Sequence, residues 1–256
     1  RRRRSLDTMG RLLDSGWIRT GHRLSIAIPL TWWISCYTSW ILKGCRPWLP
    51  YISEFDMWEP EDTIFTVGVC LTVAILSVRV LQIYAAQHLQ LTVHQLDFRW
   101  RYLLHVTLMP ALIGLLSAAG LAFAPWNEHI DLHRHLASGI FYCGVAWCIS
   151  ATTITWRLTR VLPQLRDGLR WRIAGSLVAA CGLLGMTQTV GRVIDSPDYD
   201  QAARIQYTIE SPMAYCSESY SALMDAGAAF EWVLILAILF VTWTFSSELH
   251  TARNQD

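Results

Sequence analysis

Glu231 stands inside a long apolar run, where a carboxylate is costly unless it is paired or protonated. Its expected partners are His133 and Arg192, at the ends of two other apolar runs. Brought to hydrogen-bond distance beside a lipid-sized space, His133 and Glu231 would form a general acid/base pair. They are the catalytic candidates. The same cluster can equally serve as a lock between helices or as a headgroup site. A second group of residues is Arg46-Pro47-Trp48-Leu49-Pro50-Tyr51-Ile52-Ser53-Glu54, followed by Glu59-Pro60-Glu61 and Phe65. Two prolines fix an extended entry, and the next helix is expected to open with Asp62 or Thr63 as its N-cap. So aromatic a loop is either a plug over the helices or a site for a lipid headgroup or partner. Trp48, Pro50, Tyr51, Glu54, Glu61, Arg192 and Trp232 are the candidate contact residues.

His129, Asp131, His133 and His135 crowd together, but the spacing suits capping and packing better than zinc, and no metal site is expected. Cys45 and Cys216 share one side and can form one disulfide in an oxidising compartment. The other five cysteines fall in apolar runs and read as small core residues. No phosphate-binding glycine loop, nucleophile elbow, zinc-protease motif or paired-cysteine spacing is present, so enzymatic activity is not the leading expectation and no cofactor is implied.

What must position these residues is a membrane. Residues are 53% hydrophobic and 16% charged, against roughly 25% charged in soluble domains. The net charge of +1 gives no field for nucleic acid. Six apolar spans are expected at 24–41, 63–83, 103–125, 136–156, 173–190 and 226–245, each near the roughly 20 residues a helix needs to cross a bilayer. The reading is an all-α polytopic bundle. A basic segment at 1–23 precedes the transmembrane domain at 24–245, and a short tail occupies 246–256. Arginines crowd into the N-terminal segment and alternate connections, a roughly threefold excess that places both termini on the cytosol-like side. Leu6, Met9, Leu13 and Trp17 share one helical face, so the first segment is either an amphipathic surface helix or a disordered basic tail. Arg79, four residues from the inner end of its span, is expected to snorkel to the interface. Gly175, Ala179, Gly182 and Gly185 would let a neighbouring helix approach closely.

The motif Pro47-Trp48-Leu49-Pro50-Tyr51-Ile52-Ser53-Glu54, with Glu59-Pro60-Glu61 and Phe65, resembles the first-loop signature of the damage-regulated autophagy modulator (DRAM) family. His133 with Ala137, Phe141, Cys143 and Gly144 is similar to that family's fourth-helix start, and Glu231-Trp232 to its sixth-helix opening. Trp156-Arg157-Leu158-Thr159-Arg160 looks like the helix-four exit of related GPI-remodelling proteins. The likeness runs from 24 to 250, across the superfamily that includes Frag and Sfk proteins. Where the family has an acidic-Thr-Gly turn, this chain has Glu54-Phe55-Asp56. The resemblance implies a six-helix protein of endomembranes (lysosome, Golgi or ER) or plasma membrane. Such a protein would act as a regulator or scaffold in lipid homeostasis, trafficking or autophagy, with bound phospholipid and other membrane proteins as partners. Two alternatives stay open: an accessory subunit of a large respiratory or photosynthetic assembly in an organelle inner membrane, and a factor remodelling GPI or phospholipid acyl chains.

Overall fold

The computed structural model describes residues 13–197, 200–218 and 221–253, and their regular structure is helical throughout. Asp14 starts the first helix, α1 (Ser15–Leu42), by accepting from the Gly16 amide at 2.8 Å. A 3₁₀ turn at Ile52–Asp56 leads to α2 (Glu61–Val93), then α3 (Phe98–Leu121), α4 (Ile130–Leu158) and α5 (Arg166–Ile194). The long last connection is itself helical, as α6 (Gln201–Glu210) and α7 (Pro212–Ser217). The chain closes with α8 (Ala222–Thr244) and α9 (Ser246–Arg253).

Among the described residues five stretches are long and apolar enough to cross a membrane: α2, α3, α4, Pro163–Ile194 and Ala222–Arg253. α1 is long enough but is not among the five; Trp32, Trp33, Tyr37, Trp40 and several hydroxyl residues dilute its apolar run. It packs along α2, as α3 does along α4 and α5 along α8. Hydrocarbon is as apolar as leucine, so close packing must hold such pairs together. The small-residue stripe supplies it: a Cβ on Gly182 would stand 3.1 Å from the Leu234 backbone, and one on Gly175 would stand 2.7 Å from Val241.

Both ends of the described chain meet at one end of the bundle. Leu13 and Ile18 share a buried cluster with Phe245, Leu249 and Ala252, and the Trp243 indole donates to Ser25 O at 3.1 Å. Several expectations are corrected here. Of the proposed surface helix, Leu6 and Met9 lie outside the described residues. Leu13 is buried while Trp17 is exposed, and Ser15 onward is continuous with α1. α2 starts at Glu61 with Pro60 in the cap position, and no side chain caps it; Thr63 donates instead to Glu59 at 2.7 Å. Its two acids face the positive end of the helix dipole. α2 also runs ten residues past 83, because α9 covers its polar end and Gln90 donates to Glu248 O at 3.3 Å.

Arg79 consequently does not snorkel. It is 0% exposed, beneath Gly21 of α1, and donates to Gln82 Oε1 at 2.9 Å and Ile18 O at 3.5 Å. Arg172, immediately before the expected span at 173–190, is also fully buried. It pairs with Glu248, donates to Thr155 and Thr244, and lies 3.8 Å from the Phe245 ring centroid. A charge this buried is tolerated only with such partners.

Candidate functional site

At the opposite end of the bundle the first loop folds back over the helices. Cys45 is bonded to Cys216 of α7, and the Arg46 amide donates to Cys216 O at 2.9 Å. The Arg46 guanidinium grips Asp225 of α8 with two bonds of 2.8 and 2.9 Å, the fork geometry that makes arginine–carboxylate pairs strong. Glu54 turns the chain by accepting from the Tyr51 amide at 3.0 Å, and its other oxygen accepts from the Tyr215 hydroxyl at 2.7 Å. Phe55 is fully buried between Trp40 and Trp232.

The Glu231-Trp232 pair of α8 clasps this loop. Glu231 accepts from the Ile52 amide at 2.8 Å, and the Trp232 indole donates to Pro50 O at 2.8 Å. Glu61 binds Lys43, while Trp48 stays exposed beside the Arg46 guanidinium. The expected Glu231 partnership is therefore different in the structure. His133 donates its Nδ1 proton to Ala124 O at 2.7 Å and stands 3.6 Å from Asp56. Arg192 is exposed and makes no hydrogen bond or ion pair among the described residues. The physical reason is the 3₁₀ turn: it presents a bare amide directly to Glu231, nearer than any cation.

Beneath the loop lies a partly open cavity of about 190 Å³, walled by apolar side chains of α1, α2, α3, α4 and α8. Its deep walls include Val69, Leu76, Leu115, Ile140 and Ile238, and its outer end carries Ser53, His133 and Glu231. His133 and Glu231 thus share a cavity wall, yet each is hydrogen-bonded elsewhere. The space exceeds the roughly 150 Å³ apolar void that holds benzene. An alkyl chain is the chemistry that fits it. A second hollow of about 170 Å³ lies beside it, lined by Tyr51, Trp126, Arg134 and Arg204. Ser53 and His133 line both spaces.

Electrostatics on the loop favour neutral acids. Burial pushes Asp56 well above the ordinary carboxylate range, with Asp62 adding to the rise and the Trp126 amide opposing it. Burial also raises the Tyr51 and Tyr215 hydroxyls, so both remain protonated donors. Among the described residues no three His, Cys, Asp or Glu side chains converge as a metal site, and His135 bonds Asp131 O within its own helix at 2.6 Å.

The structure brings the sequence candidates Cys45, Cys216, Glu54, Glu231 and Trp232 to this loop, together with Asp56, Arg134, Arg204 and Tyr215, which no sequence pattern singles out as site residues. Arg204 and Tyr215 sit in the long last connection, whose local signals are the Asp200 cap on Ala203 at 3.0 Å and Pro212 at the start of α7. A search of curated proteins finds no match to this chain, and a search of solved structures finds none. A family model matches residues 22–252, from within α1 to within α9. With the clasped first loop and five membrane-length apolar helices, that match makes this an integral membrane protein belonging to the Frag1/DRAM/Sfk1/Cwh43P N-terminal domain family.

Proposed function

We propose that this protein is a non-catalytic regulator or scaffold of membrane-lipid homeostasis that works by holding a lipid chain inside its bundle. In this reading six helices cross the bilayer, with α1 as the sixth and both termini cytosolic, as the arginine distribution indicates. The observation that carries it is the apolar cavity under a loop tied to α7 and α8. An empty void of this size would forfeit contacts worth up to about 5 kcal/mol at roughly 24 cal/mol per Å³. A lipid tail restores them. Remodelling chemistry would need His133 and Glu231 to share a proton path, and their separate partners argue for binding instead. Trafficking or autophagy would then respond to whether the cavity is filled.

The test is Gly114→Leu. Gly114 lines the cavity, and an added Cβ would meet Cys143 Cβ at 3.7 Å and the α4 backbone at Gly139 O and Gly144 N at 3.9 Å, ordinary contact distances that leave a larger side chain room to turn into the void. In cells lacking the protein, the variant should reach wild-type abundance yet fail to restore membrane-lipid composition. Full restoration by Gly114→Leu would overturn the reading.

A further inference from the structure

A lipid chain leaving the bilayer for the cavity exchanges one hydrocarbon setting for another, so the chain itself confers little selectivity. Selectivity must come from the polar end. This inference rests on the proposed function and adds the class of headgroup. The geometry points to the second hollow as a phosphate site, built by Arg134 and Arg204, for an anionic phospholipid whose tail occupies the cavity.

Three observations carry it. First, the two spaces adjoin: Ser53 and His133 line both, so one molecule can place its head in the hollow and its chain in the cavity. Second, the hollow holds two guanidinium groups and one carboxylate. Arg204 is fixed by the Tyr215 hydroxyl at 2.7 Å and lies 5.7 Å from the Trp126 ring centroid. The carboxylate is Glu54, 3.7 Å from Arg204, with its oxygens already accepting from the Tyr51 amide and the Tyr215 hydroxyl. Arg134, half-buried, makes no hydrogen bond or ion pair among the described residues, so its charge is unspent. Third, α4 begins with no side-chain cap at His129, and Ile130 of its first turn lines the hollow. The positive end of a 29-residue helix therefore adds to the two cations. Guanidinium forks match phosphate oxygens in two-point contacts, which a lipid without phosphate cannot offer.

The experiment uses the full-length protein in detergent micelles and counts bound lipid by native mass spectrometry. The probes are phosphatidic acid and diacylglycerol with identical chains. Wild type should retain phosphatidic acid at least about tenfold over diacylglycerol, as one charge-assisted contact supplies. Arg134→Gln should abolish that preference, and Arg134→Lys should keep part of it. Equal retention of the two lipids by wild type would overturn the inference, even if no variant could be purified. So would an undiminished preference in Arg134→Gln. Millimolar inorganic phosphate should leave phosphatidic acid bound; complete displacement would mean that free phosphate, not a lipid, is the ligand. Gly114→Leu separates the two claims. Loss of both lipids there, with Arg134→Gln unchanged, rejects the headgroup site and keeps the cavity. Wild-type retention by Gly114→Leu rejects the cavity.

Discussion

Replacing Glu231 with leucine removes the acceptor of the Ile52 amide while keeping a side chain of similar bulk. The bond is 2.8 Å long and buried, and leucine leaves the amide without a partner. An orphaned buried donor costs about 1–3 kcal/mol, or roughly 5- to 150-fold in the local opening equilibrium at about 1.4 kcal/mol per tenfold. The loop would loosen rather than detach, because Trp232 still donates to Pro50 O at 2.8 Å and Cys45 remains bonded to Cys216. Local opening of this kind is read by hydrogen–deuterium exchange. The amides of residues 51–56 should exchange faster by that factor, while those of the α5–α8 contact keep their wild-type rates. Glu231→Gln retains an acceptor oxygen and should change exchange by less than about fivefold. Wild-type exchange in Glu231→Leu, or identical acceleration in both variants, would refute the claim that this hydrogen bond holds the loop.

Other regions give independent tests. Glu248→Leu strands the buried Arg172 guanidinium and should cost about 3–5 kcal/mol in detergent unfolding, with Arg172→Leu in the same chain recovering much of the loss. Asp56 has its carboxyl raised above its unfolded value, so the folded loop holds the proton more tightly. That contribution is complete below the unfolded value near 4, and it is lost as pH rises through the folded one. Glu54, Asp62, Glu231 and His133 face or surround this group. Exchange protection of residues 51–56 should therefore weaken from acid to neutral pH, and Asp56→Asn should flatten the dependence; protection that strengthens with pH contradicts it. Gly182→Leu drives a side chain into the Leu234 backbone and should separate α5 from α8, seen as a large fall in thermal midpoint that Gly182→Ala shows only in part.

Helices were legible wherever hydrocarbon alone decides their length. The runs at 103–125 and 136–156 fall within six residues of both ends of α3 and α4. The stretch at 63–83 ends ten residues short of the end of α2, whose C-terminal part carries Gln82, Gln87 and Gln90. In the structure all three are buried, Gln90 donating to Glu248 O and Gln87 to Ala151 O and Thr155 at 3.3 Å. Arg79 and Arg172 misled for the same reason: a charge reads as an exit from the membrane unless its buried partner is known. Arg172 finds Glu248 76 residues away, beyond any local pattern. In the outer site, Tyr51 through Glu54 and the Glu231-Trp232 pair were conspicuous as chemistry inside apolar surroundings. Their mutual clasp spans 179 residues, so periodicity could not pair them. The cavity was invisible because a void is a property of packing between five helices, not of any one run.

The proposed role requires a lipid chain in the space beneath the loop. A phospholipid carrying a photoactivatable group near the end of its acyl chain, irradiated with the protein in bilayer nanodiscs, reports that directly by peptide mapping. The account predicts crosslinks to Val69, Leu76, Leu115, Ile140 and Ile238, which wall the cavity, lost in Gly114→Leu. Crosslinks confined to outward residues such as Leu116, Leu177 and Leu184, with the cavity walls untouched, would contradict it.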